Sequence, residues 1–356
     1  MHFVNRVTFC AVPLILVMAF NAAGTQYGVF TGFPKAAPGA FGVKAEGLPD
    51  GRWVVWNGDA VFLETMVGGD EFKEVASGYA GDPGFIAVSP DGHKVLLGAG
   101  ASGKLYVFDT NAPADYSPGS EVASVTHYYG VYLTENLVLL DRATDDYATS
   151  ELVVLDLSSP ATAPRLVMWK PPQDDLTGFE YGVSACLVVN ASHATVYTAG
   201  LVYDGWDLVS NQLKKVPVAA LVNAYQTSTP LDWNIDAIPI GASGAFGAGG
   251  PAGISASEEL FISGFGGVQR VDPATASVLE TIDPAGPFEY YGVAYNPRTG
   301  VVLPIVADPA DWSMDVVYAP EGAFAALPGV SGCGLLALAA MLAVGGVGRV
   351  ASRRIG

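Results

Sequence analysis

Three tyrosine-glycine steps carry the residues best suited to chemistry. His127-Tyr128-Tyr129-Gly130, Glu180-Tyr181-Gly182 and Glu289-Tyr290-Tyr291-Gly292 each lead into a valine. An aromatic face beside a carboxylate or imidazole can hold a sugar, a cation or a peptide. The same residues have a structural use. Tyr can wedge between sheets with its hydroxyl bonded, and Gly lets backbones approach closely. No stronger catalytic pattern exists. Of four histidines, His2 lies in the leading apolar segment, and His93 and His193 follow turn signals and read as solvated tips. There is no His-Glu-x-x-His, Gly-x-Ser-x-Gly or paired Cys-x-x-Cys. A Ser-His-Asp triad needs no closeness in sequence, and nothing points to one. No catalytic residue is therefore assigned.

Carboxylates cluster at Asp141, Asp145 and Asp146, at Asp174 and Asp175, and at Asp308, Asp311 and Asp315. Calcium takes six to eight oxygens from flexible loops, and none of these has the spacing of a helix-loop-helix calcium site. Asp109-x-Asn111-x-x-x-Asp115 is a partial echo. No cofactor is predicted; calcium is the alternative to plain solvated turns. The net charge of −18 makes nucleic acid and anionic membrane poor partners for the body. Cys10 and Cys333 lie near the ends, so Cys186, in the apolar run VSACLVV, can form no disulfide within the body and reads as a buried thiol. Gly241–Gly250 lacks the Lys-Ser/Thr of a phosphate loop.

The elements that must position these residues are clearest in GFIAVSPDGHKVLLGAGASGKLYVFDT, from Gly84 to Thr110. Phe85 to Val88 is a short, partly β-branched strand. Ser89-Pro90-Asp91-Gly92 is a turn, with proline presetting φ and glycine closing it. Val95 to Leu97 and the stretch around Leu105 and Val107 are the next strands, and Val122 to Thr126 a fourth. Four antiparallel strands in about forty residues match one propeller blade. Weaker copies follow at Gly253–Thr281 and Gly292–Val306. Asp109, Asp156 and Asp272 end three third strands, where each can accept bonds from following amides and start a turn. Five tryptophans, Trp53, Trp56, Trp206, Trp233 and Trp312, are expected to pack between blades.

AVSPDGHKVLLGAGASGKLYVFDT resembles the repeat of YVTN-type β-propellers, which are similar to NHL and WD-repeat propellers. The resemblance implies an all-β fold of four-stranded antiparallel blades over residues 27–325, and by itself no activity. Inner strands should start near Phe41, Gly84, Gly130, Gly182, Gly253 and Gly292. The long gap from 182 to 253 is either one enlarged blade or a degenerate extra one, which gives six blades with seven as the alternative. Tyr27 to Phe33 can close the ring on the last blade. Helical apolar segments are expected only at the two ends.

Those ends suggest an address. Residues 1–24, with Arg6, an apolar run and Ala22-Ala23-Gly24, read as a secretory signal. After a linker at 326–332, residues 333–356 carry Gly-Cys-Gly, an apolar run from Leu335 to Val347, and Arg349, Arg353 and Arg354. This plan is similar to bacterial C-terminal sorting tails, in their Cys-bearing myxobacterial and rhombosortase types. It implies cleavage near Cys333 by a membrane sorting protease, after signal peptidase has acted at the front. A plain membrane anchor is the alternative. Either way the propeller is expected at the cell surface or outside the cell, meeting a membrane only through its ends, with association to an outer membrane as the alternative. Three functions fit. The first is a non-catalytic binding or scaffold protein for an extracellular protein or glycan, with His127, Tyr128, Tyr129, Glu180, Tyr181, Glu289, Tyr290 and Tyr291 at the channel mouth. The second is a metal-dependent hydrolase similar to six-bladed lactonases, with His127, Glu180 and Glu289 as ligands. The third is a structural coat or matrix component.

Overall fold

The structure, a computed structural model, describes residues 25–324 apart from 80, 112–120, 126, 128, 144–149, 171–179, 191, 205–206, 243–252, 256, 265, 276, 287–288 and 290. The two end segments, and with them Cys333, Arg349, Arg353 and Arg354, lie outside the described residues. No helix among the described residues is long and apolar enough to cross a membrane.

Six antiparallel sheets form the blades of one propeller. Blade 1 runs Lys44–Gly47, Trp53–Trp56, Ala60–Glu64 and Phe72–Ser77. Blade 2 runs Pro83–Val88, Lys94–Ala99, Lys104–Asp109 and Glu121–Ser124. Blades 3, 4 and 5 begin at Tyr129–Tyr132, Glu180–Val189 and Gly253–Ile254. Blade 6 contains Tyr291–Tyr295, Val302–Ala307 and Met314–Pro320, and its outermost strand is Tyr27–Val29 from the front of the chain. That strand pairs Tyr27 with Pro320 and Val29 with Tyr318, so the ring is closed by joining its two ends in one sheet. Asp315 reinforces the closure. It accepts the Ala36 amide at 3.0 Å and pairs with Lys35 at 3.2 Å.

The expected inner-strand starts all fall within three residues of observed ones. The gap resolves as one enlarged blade. Between the third strand of blade 4, Asp207–Pro217, and its outer strand, Ile238–Ala242, the chain inserts a helix, Val218–Thr227, and a two-residue strand, Leu231–Asp232. The little strand adds in parallel to Arg165–Lys170 of blade 3. The helix buries Val218, Leu221 and Ala224, which share a core with Val167 and Met168 of blade 3 and Trp233. This helix departs from the expectation of helices only at the ends: VAALVNAYQT has a helical stripe only once blade 3 offers a surface to bury it.

Adjacent blades share apolar faces. Val54, Trp56 and Val61 of blade 1 pack with Ile86, Leu97 and Phe108 of blade 2. Ala45, Trp53 and Val55 pack on the other side with Ala294, Leu303 and Val317 of blade 6. Each fully buried Leu, Val or Phe side chain contributes about 1.5–3 kcal/mol, and no blade could bury both faces alone. Blade 5 is further clasped to blade 4 by Glu258, which accepts from Asn190 at 2.9 Å and Tyr197 at 3.2 Å.

Turn chemistry is repeated with the blades. Asp109, Asp156 and Asp272 each use Oδ1 to accept the amide two residues on, at 2.8, 2.9 and 2.8 Å. Where inner strands end, Ser89 Oγ accepts the Lys94 amide, Asn190 the amides of Ala194 and Thr195, and Asn296 those of Arg298 and Thr299. Trp53, Trp56 and Trp233 are buried as expected. Trp312 is not: it is 70% exposed.

Candidate functional site

The inner strands all run the same way, so the ring has one face where they start and one where they end. Of the residues singled out in the sequence, those that the structure describes lie toward the first face, at different depths. His127 is 2% exposed. Its Nδ1 donates to the Val125 carbonyl at 2.6 Å, and its ring stands edge-on to Phe85 with centroids 5.1 Å apart. Burial lowers its pKa, so the ring is neutral. Tyr291 is fully buried. Its hydroxyl accepts the amides of Ala285 and Gly286 at 2.9 and 3.1 Å and donates to Asp283 at 3.0 Å. Burial, chiefly, pushes that phenol up to about 12. Both side chains sit in the wall of the ring. Tyr129 is half-buried and lines the central channel. The Glu289 backbone accepts the Gly266 amide at 3.0 Å. Glu180 and Tyr181 pair their backbones with Asp204 and Tyr203; their side chains, like Tyr128 and Tyr290, lie outside the described residues.

Gly130 follows Tyr129 because the space beside it is already filled. A Cβ there would enter the Phe85 ring and press on Leu140 at 2.9 Å. At the narrow centre, an aromatic ring of blade 2 occupies the space a side chain of blade 3 would need.

The channel itself is a cavity of about 330 Å³ walled by inner strands of all six blades. Ile86, Val131, Leu187 and Ile254 make much of its wall apolar, and it reaches the turns of the second face at Ser89, His193 and Arg298. Two ionisable side chains lie on the inner strand of blade 1: Glu46 lines this cavity, and Lys44 lines, with Glu46, a small adjoining pocket of about 30 Å³. Lys44 and Glu46 are two residues apart, so they share one side of the strand. That side is the one on which Val54 and Trp56 pack against blade 2, and Lys44 and Glu46 stand opposite Trp56 and Val54 in the sheet. Both are partly accessible, and both line the narrow end of the channel beside Tyr295. Burial dominates their ionisation: it pushes Glu46 up to about 8 and Lys44 down to about 8, and among the described residues no neighbouring charge or hydrogen bond opposes it. The pair does not stand out in the sequence, because alternating Val43-Lys44-Ala45-Glu46 is also how a strand with one solvated side looks.

On the first face the structure adds an aromatic feature. Trp312 lies in the turn between Val302–Ala307 and Met314–Pro320, with its backbone in the left-handed region at φ 64°. Its amide donates to the Asp308 carbonyl at 2.7 Å. The Met314 amide donates to the Phe41 carbonyl at 2.7 Å, which brings Phe41, 65% exposed, alongside the same turn. Carboxylates surround the pair. Asp82 accepts the Phe41 amide at 3.0 Å, Asp308 that of Ala310 at 2.8 Å, and Asp311 that of Ser313 at 3.0 Å. Asp308, Asp311 and Asp315 thus do separate work in turns and in ring closure. Among the described residues no three His, Cys, Asp or Glu side chains converge as metal ligands would. Asp145, Asp146, Asp174 and Asp175 lie outside the described residues.

Solved structures place this architecture among known propellers. The chain is similar to a calcium-binding protein, regucalcin, from Agrobacterium tumefaciens, at 12% identity over 83% of this chain and 93% of that one, with a TM-score of 0.52. It is similar to a gluconolactonase from Xanthomonas campestris at 10% identity over 85% of this chain and 91% of that one, with a TM-score of 0.50. Such identities show the fold alone. No protein-family model matches the chain, and no curated protein matches its sequence.

Proposed function

We propose that this is an exported, non-catalytic propeller that binds an extracellular glycan on the face where its inner strands start. Trp312 carries the reading. A bulky aromatic held in the left-handed backbone region costs about 1–3 kcal/mol, and here the strain presents the indole to water instead of burying it. Strain of that kind persists where a binding surface needs it. Phe41 supplies a second ring nearby, and the C–H faces of a sugar stack on such rings while its hydroxyls bond to carboxylates such as Asp82, Asp308 and Asp311. Tyr129 lines the channel that opens at the same face. A protein ligand is the other partner the exposed aromatics suit.

The terminal segments supply the address in this proposal. Signal peptidase removes residues 1–24, and a sorting protease acts near Cys333, with Arg349, Arg353 and Arg354 held in the cytoplasm until it does. Mass spectrometry of both mature ends tests this part; an intact chain recovered from the cytosol overturns it. For a lactonase-like reaction, His127 would have to turn toward the channel, whereas its ring is bonded to Val125 and packed on Phe85. A glycan array probed with the wild type and Trp312→Ala tests the binding reading. Retention by the wild type and loss by the variant, with the eluted glycan unchanged in mass, is the expected result. Cleaved product supports the hydrolase instead.

A further inference from the structure

The central channel holds a feature that a surface glycan site leaves unexplained. Along most of its wall the side chains are aliphatic or aromatic, as packing between blades requires. At the inner edge of blade 1 the pattern changes to Lys44 and Glu46 on one side of a strand. Among the described residues, neither side chain has a hydrogen-bond or ion-pair partner; burial alone acts on each. An ammonium and a carboxyl drawn partly out of water with no protein partner carry a desolvation cost that an apolar side chain there would not. Valine or threonine would close the wall with no such penalty. Among the described residues the groups they face are few: Tyr295 shares the narrow part of the channel, and Tyr129, Tyr132, His193 and Arg298 line the wider part.

We propose that the channel binds a small monocarboxylate with an apolar tail, its carboxylate on Lys44 and Glu46 and its tail against Ile86, Val131, Leu187 and Ile254. Below pH 8 the Lys44 ammonium supplies charge and donors, and the protonated Glu46 supplies an O–H donor. A carboxylate accepts from both. The cavity, about 330 Å³, lies at the small end of the range for ligand pockets, which suits a medium-chain or aryl acid. Arg298 at the second face gives an incoming anion a positive rim in a chain of net charge −18. Above pH 8 the pair turns from net positive to net negative and the anion is released. His193, whose pKa burial lowers, stays neutral throughout this change.

The experiment uses octanoate, octanol and octylamine as probes in titration calorimetry at pH 6.5 and 9.5. At pH 6.5 octanoate should bind at least tenfold more tightly than octanol, and at pH 9.5 that advantage should vanish. Lys44→Met should abolish the preference while octanol still binds, since the apolar wall is untouched. Glu46→Gln, which keeps a donor, should retain octanoate binding at pH 6.5. Thermal unfolding of each variant reports that the ring is intact. Equal binding of octanoate and octanol, a preference that survives Lys44→Met, stronger binding of octylamine, or no binding of any probe each overturns the proposal. The site is independent of the aromatic face. Trp312→Ala should leave octanoate binding unchanged, so either site can fail while the other stands.

Discussion

Glu46→Gln gives the sharpest test of how the channel is built. The carboxyl is pushed up to about 8 in the folded chain, against an ordinary value of 4.5. Between these values the unfolded chain has lost the proton and the folded chain keeps it. Unfolded therefore binds fewer protons, and stability falls as pH rises through this window. At 1.36 kcal/mol per pH unit, the span from pH 5 to pH 8 gives about 4 kcal/mol. The side chain's partial access to channel water reduces this to about 3 kcal/mol. Glutamine keeps the shape and removes the titration. For a chain of this size, about 3 kcal/mol corresponds to about 5 °C in Tm. Lys44 leaves this comparison almost untouched, because its stabilising deprotonation begins only near pH 8 and runs up to its ordinary value of 10.5. Glu64, fully buried and raised to about 7 with Oε2 accepting the Trp53 amide at 3.0 Å, adds a fall of the same sign to wild type and variant alike. Thermal unfolding at pH 5 and pH 8 should show the wild type losing about 5 °C more than Glu46→Gln between the two. Equal losses would mean that Glu46 already meets Lys44 or water as an ordinary carboxylate, and the picture of an enclosed, unpartnered pair would be wrong.

Other perturbations probe the ring and its face. Gly130→Ala should cost about 1–3 kcal/mol in denaturant unfolding, because the new methyl group meets the Phe85 ring in a core with no room to relax; a neutral result would refute the close approach of blades 2 and 3. Removing residues 25–32 strips Tyr27–Val29 from blade 6 and exposes the Met314–Pro320 edge, so gel filtration should show self-association along with a lower Tm. Trp312→Gly should gain about 1 kcal/mol by releasing left-handed strain while glycan binding is lost; unchanged or lower stability would remove the strain argument. Asp272→Ala should cost about 1 kcal/mol, since the carboxylate satisfies the Ala274 amide at 2.8 Å and the Thr275 hydroxyl at 2.9 Å.

Much of the ring was legible in the chain because its turns are encoded locally. Asp109, Asp156 and Asp272 announce strand ends by bonding amides two residues away, and Ser89-Pro90-Asp91-Gly92 fixes a hairpin without help from the rest of the molecule. The closing strand was legible too, as an aromatic segment in front of the first blade. What stayed hidden depends on neighbours distant in sequence. The helix Val218–Thr227 exists because blade 3 covers its apolar side. Lys44 and Glu46 read as a solvated strand edge until ring closure turns that edge inward. Trp312 has the type of a core residue, and only the left-handed turn after Asp308 sends it to the surface. His127 and Tyr291 stood out by type and repetition, yet those signals do not separate a residue in the wall from one at the mouth.

A glycan array measured with the secreted wild type, followed by mass analysis of what elutes, tests the central reading most directly. The account expects a defined set of glycans to be retained through Trp312 and recovered chemically unchanged. An empty array, or glycans released as cleaved products, would contradict it.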